Sequence, residues 1–167
     1  MKQVLLLRHA KSSWEIPQLK DFDRPLAKRG EKDAPNMGKF LKKAGYIPGQ
    51  IISSPAKRAE GTTNLVIESA ELDEDVITWN NDLYYGNSSD YFSAIKQAND
   101  IIERIMLVGH NPNMEEVASR LIGKGNIRVP TAALLCFEQP ANKWEQIKPG
   151  LAELKWMMIP KVVKQIL

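Results

Sequence analysis

The sequence predicts an α/β fold, a three-layer sandwich in which helices cover a mainly parallel central sheet with one antiparallel edge. Two patterns predict it. Short apolar runs alternate with longer amphipathic stretches up to residue 122, as in parallel strands joined by helical crossovers. Beyond residue 130, two strand-like runs follow one another with no helix between them, which predicts an antiparallel pair. With 167 residues, 43% of them hydrophobic, we expect a single domain over residues 1–167.

The first strand is predicted at residues 4–7, a fully apolar run. After a polar loop, a long helix is predicted at about 26–44, because apolar residues recur there at helical spacing and Gly45 suits its C-cap. The second strand is predicted at 50–54, and a helix that carries Arg58 follows it.

A short strand is predicted at residues 76–79, followed by a turn-rich segment and a helix at about 89–99. The apolar run at 105–109 predicts the next strand, and a helix is predicted at 112–122. The predicted helices before residue 100 each return the chain to the start of a further parallel strand.

The end of the chain predicts a hairpin in which residues 134–138 pair with residues 144–148. The apolar and basic tail at 156–167 is expected to form a strand or helix that seals one edge of the core, with a dimer contact as the alternative.

Composition narrows the classes of partner. Lysines and arginines number 23 against 20 acidic residues, a net charge of +3, and the basic residues are scattered, so we expect no nucleic-acid partner. The single cysteine, Cys136, excludes a disulfide within the chain and indicates a reducing compartment. No leader-like start and no apolar stretch of about 20 residues is present, so we expect a cytoplasmic protein without membrane contact.

Only two histidines occur, and both lie where an apolar run ends. His9 follows the first strand together with Arg8, His110 follows the strand at 105–109, and Arg58 lies one turn into a helix that follows another strand. Carboxyl ends of neighbouring parallel strands meet at one edge of a sheet, where ligands bind. We therefore expect these four side chains to form one pocket, without a matching acid, for a phosphoryl group.

These segments resemble the motifs of the histidine phosphatase superfamily. Leu7-Arg8-His9-Ala10-Lys11-Ser12 resembles its arginine–histidine signature, Ser54-Pro55-Ala56-Lys57-Arg58-Ala59 its second-arginine motif, and Gly109-His110-Asn111-Pro112 its second-histidine motif. The stretch Asp21-Phe22-Asp23-Arg24-Pro25-Leu26 is similar in particular to SixA-type phosphohistidine phosphatases. Three motifs in the right order, each after a predicted strand, make a specific match. The resemblance covers roughly residues 2–155 and implies a phosphoglycerate mutase-like sheet.

We assign His9 as the nucleophile, which would attack phosphorus and give a phosphohistidine intermediate that water hydrolyses. Arg8 and Arg58 are expected to hold the nonbridging oxygens, and His110 is expected to donate a further hydrogen bond. The attack requires the other ring nitrogen of His9 to be held by a carbonyl or a carboxylate.

Two further residues are candidate ligands of the phosphoryl group. Ser12 lies where the family motif often carries a hydroxyl, and Asn111 is predicted to cap the helix that begins with Pro112. Trp14 and the Tyr84-Tyr85 pair are candidate walls of the pocket.

This chain differs from many members of the broader family in its candidate proton donor. Many family members place a glutamate after the third strand to protonate the departing alkoxide, whereas residues 81–86 hold only Asp82 as a substitute. A phosphorylated imidazole needs no such acid, because imidazole titrates near pH ~6.5 and can take its proton from water. We therefore expect P–N cleavage, with a phosphorylated histidine-containing phosphotransfer protein of signal transduction as substrate and inorganic phosphate as product.

Three other functions are consistent with parts of this pattern. The first is a phosphatase of the same fold that acts on a small phosphate ester with Asp82 as acid, and the second is a phosphate-binding module without turnover. The third, a metal hydrolase, is disfavoured because arginines beside the histidines repel a cation. We accordingly expect no metal, no cofactor and activity that is insensitive to chelators.

Overall fold

A computed structural model describes residues 1–167 and contains one sheet of six strands. The strands are β1 (Lys2–Arg8), β2 (Gln50–Ser53), β3 (Ile77–Trp79), β4 (Arg104–Gly109), β5 (Leu134–Gln139) and β6 (Glu153–Met158). Their order across the sheet is β3-β2-β4-β1-β5-β6. The first four strands are parallel to one another, whereas β5 is antiparallel to β1 and β6 is antiparallel to β5. The predicted mixed sheet with an antiparallel edge is confirmed.

Helices cover both faces of this sheet. They are α1 (Lys28–Ala44), α2 (Lys57–Ser69), α3 (Asp82–Tyr85), α4 (Ser88–Lys96), α5 (Asn113–Ile122) and α6 (Pro160–Ile166). In β1, Val4 and Leu6 join the core under α4 and α5, while Leu5 and Leu7 join the core under α1 and α2. This alternation follows from the two-residue period of a strand that is buried on both faces. None of the six helices has the length and apolar character that crossing a bilayer requires.

The predicted terminal hairpin was wrong in its second strand. The partner of β5 is β6, and residues Trp144–Gln146 form a turn of 3₁₀-helix instead. Trp144 is fully buried, and its indole N–H donates to the carbonyls of Asn99 and Ile102. The apolar residue that suggested a strand therefore anchors a turn to the core. The tail splits into the end of β6 and the short helix α6, so it does seal an edge of the sheet.

Helix boundaries shift by a few residues from the predicted ones. The helix predicted at 26–44 begins at Lys28, and its predicted C-cap Gly45 adopts a left-handed conformation with φ 76°. The helix predicted from residue 112 begins at Asn113, with Pro112 in the N-cap position. The helix predicted at 89–99 ends at Lys96.

Strand register brings the candidate residues together. In the parallel pair of β1 and β4, Arg8 lies opposite Gly109, so His9 and His110 leave adjacent strands at the same level. In the pair of β2 and β4, Ser53 lies opposite Val108. The chain after β2 therefore emerges beside the other two strand ends, and α2 places Arg58 over this edge.

Candidate active site

Two imidazoles and two guanidinium groups meet at the carboxyl edge of the parallel strands. The ring centroids of His9 and His110 are 5.1 Å apart. His9, Arg58 and His110 are buried and Arg8 is partly buried. The backbone N–H of His9 also donates to the carbonyl of Gly109 at 3.0 Å, which links the two strand ends directly. The four side chains thus form one cluster, in which three are held in the protein interior.

The ring of His9 is fixed by the next residue in the chain. Its Nδ1 lies 2.7 Å from the carbonyl oxygen of Ala10, and because a carbonyl only accepts, Nδ1 carries the proton. Nε2 then keeps its lone pair. Burial, followed by the charges of Arg58 and Arg8, lowers the pKa of His9 to about 4. The ring is therefore neutral near pH 7, as a nucleophile must be.

Arg8 is braced by the loop before β5. Its Nη1 donates to the carbonyl of Val129 at 3.0 Å, and the backbone N–H of Ala132 donates to the carbonyls of Arg8 and His9. Burial lowers the pKa of Arg8. Its Nε is buried and has no partner, so this N–H is a donor that an anion in the pocket would satisfy.

Arg58 is held by a residue that sequence reasoning missed. Nη2 donates to Oδ2 of Asp21 at 2.9 Å, and Nη1 donates to the backbone carbonyl of Asp21 at 2.7 Å. Arg24 donates to Oδ1 of the same carboxylate at 3.0 Å. The expectation of a pocket without a matching acid is therefore wrong. Asp21 lies in the stretch that carries the SixA-type resemblance, which was the signal available for finding it.

The carboxylate of Asp21 is strongly held in its ionised form. Despite some desolvation, the hydrogen bond from Tyr84 and the hydrogen bonds and charge of Arg58 lower its pKa to about 2. The Tyr84 hydroxyl donates to Oδ2 at 2.8 Å. The Tyr84 ring lies with its centroid 5.4 Å from that of His110, so this tyrosine does form a wall of the site.

Asp82 stands apart from the cluster. It is exposed at the start of α3, its N–H donates to Oδ1 of Asn80, and its carboxylate makes no hydrogen bond or ion pair with the four residues. The short helix α3 turns Tyr84 toward the site. Segment 81–86 thus contributes an aromatic wall, and its carboxylate remains in solvent.

The two candidate ligands have different surroundings. Ser12 is buried, and its hydroxyl accepts from Nη2 of Arg24 at 2.5 Å, which leaves its own proton free to donate. The Asn111 side chain donates through Nδ2 to the carbonyl of Val129 at 3.1 Å, the carbonyl that Arg8 also uses. Asn111 therefore braces the loop beside Arg8. Arg24 in addition lies over the ring of Trp14, at 3.2 Å from its centroid.

His110 is held through both its backbone and its ring. Its N–H donates to the hydroxyl of Tyr91 at 3.1 Å, and that hydroxyl donates to the carbonyl of Leu83 at 2.6 Å. Nε2 lies 2.8 Å from the hydroxyl of Ser54, and Nδ1 has no partner. Burial, with the neighbouring His9 and Arg58, lowers the pKa of His110 to about 3, so this ring is neutral near pH 7.

The arrangement is suited to an anion with several oxygens. Nε of Arg8 is a buried donor without a partner, and Nδ1 of His110 is a buried ring nitrogen without a partner. Arg58 has further N–H groups beyond the two that Asp21 accepts, and a guanidinium group suits the oxygens of a tetrahedral anion. No group of three or more histidine, cysteine, aspartate or glutamate side chains is placed to hold a metal ion.

Two histidines and two arginines at the carboxyl edge of an α/β sheet are typical of the histidine phosphatases, a class of proteins that transfer phosphoryl groups. The model of the histidine phosphatase superfamily (branch 1) matches residues 4–120, which is more than half of the chain. The chain belongs to this superfamily, as its three motifs predicted.

Two proteins align with this chain over nearly all of its residues. An uncharacterised chloroplast protein of Arabidopsis thaliana is 32% identical over 173 aligned residues, covering 95% of this chain and 78% of that protein. The structure of the Agrobacterium tumefaciens protein named as a phosphohistidine phosphatase, SixA, is 30% identical with a TM-score of 0.79, covering 95% and 98% of the two chains.

Two further comparisons are more limited. The protein histidine phosphatase SixA in complex with tungstate has a TM-score of 0.82 at 21% identity, covering 96% and 99% of the two chains, and shows the fold alone. A 2,3-bisphosphoglycerate-dependent phosphoglycerate mutase of Elusimicrobium minutum is 36% identical over 93 residues, which is 52% of this chain and 37% of the mutase. The likeness to the mutase is therefore partial.

Proposed function

We propose that the chain is a phosphohistidine phosphatase that hydrolyses phosphohistidine on a partner protein through a phosphorylated His9. One observation carries the proposal: the Ala10 carbonyl holds the proton of His9 on Nδ1 and leaves Nε2 as a neutral nucleophile among cationic donors. In this proposal residues 1–167 form one catalytic domain. The protein histidine phosphatases of similar fold support it.

The proposed reaction has two steps. The Nε2 lone pair of His9 attacks phosphorus, the P–N bond of the substrate breaks, and the departing imidazole takes a proton from water. Water then attacks the phosphorus of phospho-His9, the second P–N bond breaks, and inorganic phosphate leaves with His9 restored. Arg8, Arg58 and His110 stabilise the charge on the equatorial oxygens in both steps, and Ser12 donates to one of them.

The choice of a P–N bond over a P–O bond is supported by Asp21. This carboxylate, which contacts the catalytic arginine, has a pKa lowered to about 2 and is therefore a poor proton donor near pH 7. An alkoxide leaving group needs such a donor, whereas a departing imidazole does not. A phosphorylated histidine-containing phosphotransfer protein fits this requirement, which would place the enzyme in signal transduction.

A second candidate is a phosphatase that acts on small phosphate esters. The partial likeness to phosphoglycerate mutases favours it, because those enzymes act on phosphate esters. In that case Asp82 would have to approach the leaving group from its exposed position on α3.

A parallel assay tests the proposal. The protein is incubated with a ³²P-labelled histidine-containing phosphotransfer protein and, separately, with a panel of sugar phosphates and nucleotides. We expect release of phosphate from the phosphohistidine substrate at a rate at least about a hundredfold above the esters, corresponding to roughly 3 kcal/mol of discrimination. Faster turnover of any ester would favour the second candidate.

The nucleophile is tested by trapping. Acid quenching is avoided, because phosphohistidine is acid-labile, and alkaline gels should show a labelled enzyme that the variant His9→Ala lacks. Lys57→Ala is the control, since Lys57 directly precedes Arg58 in the chain but forms its ion pair with Glu60 on the same helix. If His9→Ala binds the phosphorylated protein and wild type never turns it over, the chain is a phosphate-binding module.

A further inference from the structure

A buried serine outside the four candidate residues contacts the ring of His110. Ser54 directly follows β2, is fully buried, and has its hydroxyl oxygen 2.8 Å from Nε2 of His110. The backbone N–H of Ala56 donates to the same oxygen at 3.2 Å. A hydroxyl that accepts from an amide still has one proton to donate. The acceptor within reach of that proton is Nε2.

The other ring nitrogen of His110 determines what this contact means. Nδ1 is buried and has no hydrogen-bond partner. In a neutral imidazole one nitrogen carries the proton and the other a lone pair, so if Nε2 accepts from Ser54, Nδ1 is a buried donor without an acceptor. Such a donor is costly in the free protein and is satisfied when an anionic oxygen enters the pocket.

We propose that Ser54 is a positioning residue, whose hydroxyl holds His110 as the Nδ1–H tautomer so that Nδ1 donates a hydrogen bond to the transferring phosphoryl group. The proposal rests on the proposed function for the identity of the ligand and on the contact of Ser54 with His110 for the tautomer. The opposite tautomer would turn a lone pair toward the phosphoryl oxygens and repel them.

The tautomer matters because His110 is neutral. A protonated ring would donate through both nitrogens whatever its neighbours, but burial lowers the pKa of His110 to about 3. The two histidine rings are then fixed by hydrogen bonds of opposite direction. The carbonyl of Ala10 accepts from Nδ1 of His9 and leaves a lone pair for attack, whereas the hydroxyl of Ser54 donates to His110 and leaves a donor for the anion.

The chain is suited to a direct test by NMR, because it has two histidines. Long-range ¹H–¹⁵N spectra of the ¹⁵N-histidine-labelled full chain at pH 7.5 distinguish the two nitrogens of each ring. We expect both rings as the Nδ1–H tautomer, and Ser54→Ala should shift His110 toward Nε2–H while His9 stays unchanged. A wild-type His110 in the Nε2–H form, or an unchanged His110 in Ser54→Ala, overturns the proposal.

Ser53→Ala is the matched control. Ser53 is equally buried and adjacent, but its hydroxyl contacts the Ser54 carbonyl and the hydroxyl of Thr63, with no histidine contact. Its spectrum should match the wild type at both rings. If Ser54→Ala fails to fold, the wild-type spectrum decides: the Nδ1 resonance of His110 must be protonated and must move when inorganic phosphate is added, and a resonance that does neither overturns the proposal.

Kinetics provides the second measurement. With a phosphohistidine substrate, Ser54→Ala should lower kcat about fivefold to tenfold with little change in KM, because one hydrogen bond in the transition state is weakened. Ser54→Thr keeps a hydroxyl and should restore most of kcat, and Ser53→Ala should retain it. Full kcat in Ser54→Ala overturns the positioning role. Failure of every substrate defeats the proposed function, and the tautomer measurement is then still interpretable.

Discussion

Asp21 binds Arg58 at two points, through its carboxylate to Nη2 at 2.9 Å and through its backbone carbonyl to Nη1 at 2.7 Å. The guanidinium fork that would hold a phosphoryl group is thus already oriented by a carboxylate before any ligand arrives. That carboxylate also compensates part of the positive charge of Arg24. An incoming phosphoryl dianion must therefore approach a site in which one negative charge is already present.

Asp21→Asn should tighten the binding of inorganic phosphate. The amide removes a negative charge beside the anion, while the backbone carbonyl still orients Arg58. Because Asp21 is half exposed, solvent screens the effect, and we expect roughly a threefold to tenfold lower dissociation constant. Isothermal titration with phosphate measures it. Asp23→Asn removes an equally exposed charge that makes no ion pair and should leave binding unchanged, and weaker binding by Asp21→Asn would contradict the prediction.

Arg58→Lys should lower kcat/KM about a hundredfold or more. Lysine keeps the charge but is a single point donor, so it loses both the two-point contact with Asp21 and the two-point match to the phosphoryl group. Steady-state rates on the phosphohistidine substrate measure the loss. Lys57→Arg makes the reverse change one residue earlier, at an exposed position, and should be neutral. A loss below tenfold would show that charge alone suffices.

The sequence predicted the histidines and arginines of the site better than it predicted Asp21 and Ser54, the residues that hold them in place. His9 and His110 were found because each follows an apolar strand, and strand periodicity is a local signal. Asp21 begins a single turn of 3₁₀-helix, Asp21–Asp23, which has no periodic sequence pattern. Its partner Arg58 is 37 residues away, so only the tertiary fold brings them together. Ser54 was visible as part of a motif, but its contact with His110 depends on the order of strands in the sheet.

The misplaced edge strand has a similar explanation. Residues Glu153–Met158 begin with alternating polar and apolar side chains, the pattern of a half-buried strand. The segment at 144–148, with Trp144 and Ile147 as its apolar residues, lies nearer to β5 in the chain. The strand at Glu153–Met158 is held on the core by Trp156, whose ring packs edge-on against those of Phe40 and Tyr46. A long-range aromatic cluster of this kind has no local sequence signal.

The stability of the protein should fall on acidification below pH 6.5. The pKa of His9 is lowered from 6.5 to about 4 and that of His110 to about 3, mainly by burial. Between pH 6.5 and these values the unfolded chain binds more protons than the folded one, so the free energy of unfolding decreases as the pH falls. For His9 alone the decrease from pH 7.5 to pH 4.5 is about 2 to 3 kcal/mol.

Urea unfolding at pH 7.5 and pH 4.5 measures this effect. His9→Asn removes one titrating ring, so its decrease between the two pH values should be smaller than that of the wild type by the amount assigned to His9. Lys57→Ala should behave as the wild type. An equal decrease in His9→Asn and the wild type would show that His9 does not titrate with a lowered pKa.

Gly109→Ala should destabilise the protein through Tyr91. A methyl group on residue 109 would overlap the Tyr91 ring and hydroxyl, and that hydroxyl bridges the N–H of His110 and the carbonyl of Leu83. Residues 105–109 of β4 and the Tyr91 ring are buried, so neither can move away, and we expect a loss of about 2 to 3 kcal/mol in the free energy of unfolding. Tyr91→Phe alone should cost about 1 kcal/mol for its lost hydrogen bonds.

The double variant separates the clash from the lost hydrogen bonds. In Gly109→Ala with Tyr91→Phe the new methyl group no longer meets the hydroxyl, so the combined loss should be smaller than the sum of the two single losses. Gly61→Ala is the control, since its methyl group meets only the flexible side chain of Leu26. Because Tyr91 also holds the backbone of His110, Gly109→Ala should lower kcat even at temperatures where it remains folded. Strictly additive unfolding energies, together with an unchanged kcat, would show that Tyr91 does not connect residue 109 to the site.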